Sequence, residues 1–362
     1  MRILVDARGL LEETKAGVEG YTYNMLVNLQ RMYPKDEYIL FSYSRTRSPE
    51  SELADKWQWK HFRWSNLLVS ASFRMLGYPV VDKILGDFDW VWFPNIRFFP
   101  VSKQIKKIVT VHDLSFEIMP DCYSHKRRLW HWYMNIRKNL LAAQKVVCVS
   151  ENTRQDLLER YHIEGEKVFT IYPGLECEKF CVPKKGKKSR YIVFLGTLEE
   201  RKNILTLLKA YEYYSLRLTE RPLKLVLIGS NCLTWNIKEY LRERNMQNRV
   251  MVCGYLNDED RNKILSESAV VVYPSYYEGF GFPPLEAIAM GIPSLSSFCG
   301  SLGEVLSNKC MLLDPLDYKT LAVNISQILD SDLEKKNNDL GDFFQRYDWE
   351  KSAYLFREIL DS

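Results

Sequence analysis

The chain has 362 residues, 46% of them hydrophobic and 27% charged, with a formal net charge of +4. This length exceeds one ordinary core and suits two domains, and the composition excludes a disordered or fibrous protein. The mild basic excess falls short of a nucleic-acid footprint, though it favours anionic substrates or a lipid surface. Arg2–Asp6 reads as a first β-strand, not as the apolar core of a leader peptide. Further strands are predicted at Tyr38–Tyr43, Trp90–Phe93, Lys107–Val111, Lys145–Val149 and Val168–Ile171, then at Tyr191–Gly196, Lys224–Gly229, Arg249–Cys253 and Val270–Tyr273. Helical periodicity falls between them at Gly20–Met32, Lys126–Ala143, Asn152–Tyr161 and Ile204–Thr219, and an amphipathic segment closes the series at Asp348–Leu360. Alternation of this kind predicts parallel sheets joined by right-handed crossovers.

The alternation breaks once, at Cys181–Arg190, which is polar, basic and punctuated by Pro and Gly, the mark of a linker. It divides the chain into two α/β domains, 1–174 and 187–347, each a Rossmann-like doubly wound parallel sheet. Such domains take ligands at the carboxyl ends of their strands, so the expected site is a cleft across which the two face each other. The eight cysteines lack paired CxxC spacing and nearby histidines at metal spacing, which predicts reduced thiols and no metal centre. No run reaches the roughly 18 apolar residues of a spanning helix, so a cytoplasmic protein is expected. Between Lys56 and Trp64 bases and aromatics interleave; this could touch a lipid, but strict alternation favours an ordinary strand.

Four segments carry chemistry. Glu278-Gly-Phe-Gly-Phe-Pro-Pro-Leu-Glu286 follows a buried strand. Gly279 and Gly281 permit close backbone approach to a ligand. Pro283 and Pro284 suit the first turn of a helix, whose free amides and positive dipole end suit a diphosphate. A carboxylate accepts two hydrogen bonds from sugar hydroxyls, which makes Glu278 and Glu286 candidate binders. Gly196-Thr-Leu-Glu-Glu-Arg201-Lys202-Asn203 ends the first strand of the second domain and places two cations where a departing diphosphate gathers charge. His112-Asp113-Leu-Ser-Phe-Glu-Ile-Met-Pro120 brings an imidazole and a carboxylate to the rim of the first domain. Finally, the loop from Asp6 reaches a helix through Gly17-Val-Glu19-Gly20-Tyr21, and it is not the dinucleotide-binding G-x-G-x-x-G.

The first of these resembles the E-x7-E motif of the retaining family 4 glycosyltransferases, which have the two-domain GT-B fold. That resemblance implies that Glu278 contacts the donor sugar and Glu286 the ribose, with Gly279, Phe280, Gly281 and Leu285 completing the donor contacts. The second is similar to the family's G-x(4)-RK[GN] segment, which implies that Arg201 and Lys202 grip the diphosphate beside Gly196. Thr197 stands where many members carry arginine, so phosphate binding falls more heavily on that pair. The third resembles the family's HDL-x(5)-P phrase; it implies a His112 facing the donor sugar and an Asp113 on the acceptor side. The fourth resembles the G-[IV]-G-R-Y loop, with Gly17 as a backbone donor and Tyr21 on the acceptor side, but the usual arginine is missing and Glu19 intrudes. Tyr172-Pro173-Gly174 resembles the family's hinge, and Phe344–Ile359 the last helix, which implies that 348–362 returns to the first domain. The resemblance is thinnest between Arg45 and Asp87.

What this implies is retaining hexosyl transfer from a nucleotide-diphosphate sugar to a glycan or lipid-linked glycan acceptor in surface polysaccharide or lipopolysaccharide assembly. Neither a divalent metal nor another cofactor is implied, nor a nucleic-acid partner, and peripheral contact with the inner membrane's cytoplasmic face fits the acceptor. The leaving diphosphate would itself take the proton of the incoming hydroxyl. Phrase-level similarity to mannosyl- and rhamnosyltransferases favours GDP-mannose, with UDP-sugars the alternative. Three rival readings differ in one observable each. A GT-B epimerase would not need an acceptor hydroxyl, a silent sugar-nucleotide or glycan binder would have lost one of Arg201, Lys202, Glu278 and Glu286, and a nicotinamide dehydrogenase would carry the glycine fingerprint absent here.

Overall fold

A computed structural model describes residues 1–12, 17–176, 191–330 and 341–362. The Cys181–Arg190 linker and the part of the first loop at 13–16 lie outside these described residues. The chain forms two compact units, one of residues 1–116, 124–174 and 345–362, the other of residues 117–123 and 175–344.

The first unit is built on β1 (Arg2–Asp6), β2 (Glu37–Tyr43), β3 (Gln58–Phe62), β4 (Trp90–Phe93), β5 (Lys106–Val111), β6 (Lys145–Cys148) and β7 (Val168–Thr170). All pair parallel in the order β3-β2-β1-β4-β5-β6-β7. Strands buried on both faces need continuous apolar runs rather than alternation, which is what Ile3-Leu4-Val5 and Trp90-Val-Trp-Phe93 supply. The interleaved segment at 56–64 contains β3, the edge strand of this sheet. The helix expected over Lys126–Ala143 is two helices, His125–Met134 and Ile136–Leu141, separated by Asn135 at φ 48°. The Asn139 side-chain amide donates to the Met134 and Asn135 carbonyls and so bridges the break, while the Asn135 carbonyl also accepts from the Asn139 backbone amide.

The final helix, Trp349–Asp361, belongs to this first unit and packs on its first helix, Val18–Met32. Asp348 caps it by accepting from the Glu350 and Lys351 amides. Phe356 rests on Trp92 with ring centroids 4.9 Å apart, Arg357 donates to Asp36 at 2.7 Å, and Ser352 Oγ donates to the Tyr172 carbonyl at 2.6 Å. Gly174 lies so near that an added Cβ would fall 2.4 Å from the Trp349 indole, so only glycine fits there.

In the second unit β8 (Tyr191–Leu195), β9 (Lys224–Ile228), β10 (Val250–Gly254), β11 (Ser268–Tyr273), β12 (Ser294–Ser297) and β13 (Met311–Leu313) pair parallel in the order β10-β9-β8-β11-β12-β13. The strands β12 and β13 were not among those expected, because Ser294-Leu-Ser-Ser297 lacks the β-branched signal and Met311–Leu313 is only three residues long. The helix expected over Ile204–Thr219 is α-helical to Tyr213 and π-helical over Tyr214–Leu218. There Ser215 Oγ donates to the Glu212 carbonyl, competing with the regular backbone pattern. Both sheets share one logic: the chain lays strands outward on one side, then returns to add the fourth strand beside the first. The strand order reverses between β1 and β4 and again between β8 and β11, which are the positions where open α/β sheets bind ligands.

Candidate active site

In the second unit, the reversal point collects three of the four predicted catalytic side chains. Gly196 and Gly229, at the ends of β8 and β9, both have φ 139°, and a Cβ on Gly229 would meet the Gly196 carbonyl oxygen at 2.1 Å. The strand ends therefore close tightly, and the chain turns through the short helix Glu200–Lys202. Asn203, itself at φ 58°, fixes that turn: its amide nitrogen donates to the Pro274 carbonyl at 3.1 Å and the Pro315 carbonyl at 2.7 Å. The Tyr276 amide donates to the Arg201 carbonyl at 2.8 Å and joins the turn to the loop after β11.

This anchoring brings the two cations to Glu278. Arg201 Nη1 donates to Glu278 Oε2 at 2.9 Å and to the Tyr277 carbonyl at 3.0 Å, while its Nε pairs with Glu199 Oε1 at 2.8 Å. Lys202 Nζ donates to the other Glu278 oxygen at 2.5 Å and to the Tyr273 hydroxyl at 2.6 Å. Glu278 is 5% exposed and Lys202 7%. Burial pushes the Glu278 carboxyl up, but Arg201 and Lys202 outweigh it and hold the group at about 2. Burial and then Arg201 pull the Lys202 ammonium below its ordinary value, against Glu278 and Glu199. The two shifts oppose each other within one pair. The charged form of both is the one the geometry requires, because a neutral lysine would surrender a donor to a carboxylate that burial cannot otherwise tolerate.

The loop carrying Glu278 is held from behind. Ser301 donates from its amide to the Glu278 carbonyl and from its hydroxyl to the Glu278 and Phe280 carbonyls, each at 3.0 Å. Gly300, at φ 61°, lies where a Cβ would be 2.5 Å from the Glu278 carbonyl oxygen. Gly281, at φ 98°, precedes the helix Phe282–Ala289, with prolines in its first turn as expected. Phe280 and Leu285 were expected to contact the donor. Both side chains are buried, Leu285 completely, so what they can offer a ligand is backbone. Gly279 sits between Glu278 and this pair in the same loop, and Thr197 is exposed.

Glu286, half-buried on that helix, differs from Glu278 electrostatically. Burial raises its carboxyl, with Arg261 opposing and Asp258 reinforcing the shift. The two glutamates of the motif thus have carboxyls pushed in opposite directions. Glu199, Tyr273 and Ser301 escaped the sequence reading as functional residues. Only Glu199 had a signal, its place beside the Arg-Lys pair.

The first unit supplies a separate cluster at the end of β5. His112 Nε2 lies 2.8 Å from the Pro94 carbonyl, which can only accept, so Nε2 carries the proton and Nδ1 the lone pair. Burial lowers this imidazole below its ordinary value, so it is neutral at neutral pH. Asp113 Oδ1 accepts from the Ser115 amide and hydroxyl at 3.0 and 2.6 Å, an Asx turn that leads into the helix Ser115–Ile118. Tyr21, expected on the acceptor side, is 1% exposed and presents its ring edge-on to His112 at 4.8 Å. The ring packs between His112 and Trp349 and holds the imidazole from one side. Gly17 caps the first helix at φ 64° beside residues 13–16, and Ser150 caps Glu151–Tyr161 by accepting from the Thr153 amide.

Among the described residues no group of three or more His, Cys, Asp or Glu is placed to hold a metal ion. Nor is any helix among them long and apolar enough to cross a membrane.

Two family models divide the chain between them: Glycosyltransferase Family 4 matches residues 16–179, and Glycosyl transferases group 1 matches residues 178–345. The chain is similar to the O-antigen chain mannosyltransferase B of Escherichia coli, with 28% identity over 261 residues and 68% of each protein covered. Its fold is similar to that of the sucrose-phosphate synthase of Thermosynechococcus elongatus (TM-score 0.75, 18% identity, 99% and 98% of the two chains covered). It is also similar to Anabaena HepE in complex with UDP-glucose (TM-score 0.71, 16% identity, 100% and 99% covered).

Proposed function

The chain belongs to the family 4 glycosyltransferases of GT-B fold, and from that premise we propose that it moves a hexose, with retention of configuration, from a nucleotide-diphosphate sugar to a glycan or lipid-linked glycan acceptor. The observation that carries this reading is the grip of Glu278 on Arg201 and Lys202 at the reversal point between β8 and β11. Two cations fixed before substrate arrives cost no reorganisation when charge develops on a departing diphosphate, and a site of low polarity strengthens their effect. Each Glu278 oxygen keeps a second lone pair for a sugar hydroxyl.

In the step itself the bond between the sugar's anomeric carbon and the diphosphate oxygen breaks. The acceptor hydroxyl attacks the same face and passes its proton to the departing diphosphate, leaving a glycoside and a nucleoside diphosphate. His112, neutral and with Nδ1 as an acceptor, receives a hydrogen bond from the donor sugar. Glu286 accepts from the ribose. The reaction uses no divalent metal and no other cofactor. Similarity to an O-antigen chain mannosyltransferase supports mannose as the transferred sugar and surface polysaccharide assembly as setting; GDP-mannose is the donor this reading favours, with a UDP-sugar the alternative. The reading also includes a cytoplasmic location with contact to the membrane face.

The test is thermal denaturation with GDP, UDP, dTDP and ADP, with and without EDTA, since a ligand that binds only the native state raises the melting point. One diphosphate should stabilise the protein, equally well in EDTA. A cooperative transition that no nucleoside diphosphate moves would overturn the reading, and a shift abolished by EDTA would overturn its metal independence.

A further inference from the structure

A lysine ammonium carries three N–H donors, and the fold engages two of those on Lys202. Nζ donates to Glu278 Oε1 and, at 2.6 Å, to the Tyr273 hydroxyl; among the described residues no third acceptor reaches it. An ammonium held by one acceptor still rotates about that bond. Held by two, it has its third N–H fixed in direction, because the three hydrogens keep tetrahedral angles.

Tyr273 is itself held firmly. It ends β11, pairs in register with Ser296 of β12, and accepts at its carbonyl from the Ser296 hydroxyl at 3.3 Å. Its ring is 1% exposed and stacks on Phe194 of β8, with centroids 5.5 Å apart and planes 13° from parallel. A Cβ added to Gly196 would lie 3.7 Å from its hydroxyl. Lys202 Nζ also lies 4.9 Å from the centre of the Tyr273 ring, a cation–π contact that adds to the hold. Burial first, then the Glu278 charge, push the phenol well above its ordinary value, so it stays a neutral hydroxyl.

That neutrality matters. Arg201 and Lys202 face Glu199 and Glu278, so the formal charges of these four side chains balance. What they offer a diphosphate is the direction of their remaining N–H groups more than net charge. A carboxylate in place of the phenol would orient the ammonium too, but would add a negative charge where one is about to develop. A hydroxyl orients it without that penalty.

We propose that Tyr273 is a positioning residue for glycosyl transfer: its hydroxyl accepts from Lys202 alongside Glu278, and the third N–H is thereby aimed at the departing diphosphate. The inference rests on the glycosyl-transfer reading and deepens it by adding a residue, outside the motifs that supply Arg201, Lys202, Glu278 and Glu286, that acts through Lys202.

The test is calorimetric titration of the full chain with GDP, UDP, dTDP and ADP, and with the monophosphate of whichever base binds. In Tyr273→Phe the stacked ring remains and only the oxygen is lost. Diphosphate affinity should fall about tenfold, while affinity for the monophosphate, which lacks the phosphate at the leaving position, stays within about a factor of two. The charged and titratable groups around the ammonium are Arg201 and Glu199 from its own turn, Glu278 from the loop after β11, and Tyr273 from the strand. Removing the one neutral acceptor among them disfavours the charged lysine. The alkaline loss of diphosphate affinity should therefore begin at lower pH in the variant than in the parent. In a Lys202→Met background Tyr273→Phe should change nothing further, since its effect passes through the lysine. Equal weakening of mono- and diphosphate, or the same weakening with Lys202 already replaced, would make Tyr273 structural only and overturn the proposal. Unchanged diphosphate affinity in Tyr273→Phe overturns it as well, with the donor reading left standing. A parent that binds none of the four diphosphates fails the glycosyl-transfer reading, and the proposal falls with it.

Discussion

Lys202 and Glu278 form an ion pair in which each side chain is less than a tenth exposed, although 76 residues of chain separate them. Removing one partner of such a pair strands the other in a poor solvent for charge, at about 3–5 kcal/mol. Lys202→Ala should therefore lower the melting temperature and, by losing a cation opposite the leaving group, reduce kcat roughly 30- to 1,000-fold. Steady-state kinetics and a melting curve read the two effects separately. A kcat within a factor of two of the parent would remove Lys202 from the catalytic group.

The depressed Glu278 carboxyl makes stability depend on pH in a defined direction. Its folded-state value of about 2 lies below its ordinary 4.5, so its contribution is fully present above 4.5 and is lost as pH falls toward 2. In Glu278→Gln that contribution is absent throughout. Urea midpoints of parent and variant should thus converge as pH drops from 5 toward 3, and parallel curves would contradict the pairing.

His112 is held neutral below its ordinary 6.5. If the neutral imidazole is the working form, kcat/KM stays level down to pH 6.5 and declines only as pH falls further, through the depressed value of the free enzyme. His112→Ala should lower kcat and flatten that acidic limb. An acidic limb that survives the substitution unchanged belongs to another group.

Gly300 stands against the Glu278 backbone. In Gly300→Ala a methyl group would be forced to within 2.5 Å of the Glu278 carbonyl oxygen, at a φ of +61°. The expected cost is about 1–3 kcal/mol of backbone strain, and it should appear as weaker nucleoside diphosphate binding by calorimetry. Unaltered nucleotide affinity would show that the loop's position is not set by this contact.

Tyr21→Phe and Tyr21→Ala separate a ring from a hydroxyl. The phenyl ring alone preserves the edge-on contact with His112, so Tyr21→Phe should keep near-parental activity. Tyr21→Ala should lose about 3–5 kcal/mol of stability, the usual cost of emptying an aromatic site. A large activity loss in Tyr21→Phe with unchanged stability would return the hydroxyl to the substrate's side.

Much of this protein was legible before its structure. Buried parallel strands announce themselves as apolar runs such as Ile3-Leu4-Val5 and Val270-Val-Val-Tyr273, because both faces of the sheet are covered. Turn chemistry is equally local, so Gly281 with its following prolines, and Ser150 before its helix, could be read at their own positions. Short or unbranched strands such as Ser294–Ser297 and the break at Asn135 could not, since partners elsewhere stabilise them.

By itself, then, the sequence determined the alternation of elements and the residue types at the candidate site. Tertiary structure decided which of those residues meet. Parallel pairing sets β11 beside β8, and with the loop contacts of Asn203, Tyr276 and Ser301 it carries Glu278 to Arg201 and Lys202 and brings Glu199 and Tyr273 to the same place. It also turned Tyr21 inward, and it gathered the lining of a cavity in the first unit from many segments, among them residues between Arg45 and Asp87, where resemblance was thinnest, and the helix His125–Met134. The physical reason is range: periodicity and capping act within a few residues, whereas ion pairing and burial act through space, between segments that only the folded sheet brings together.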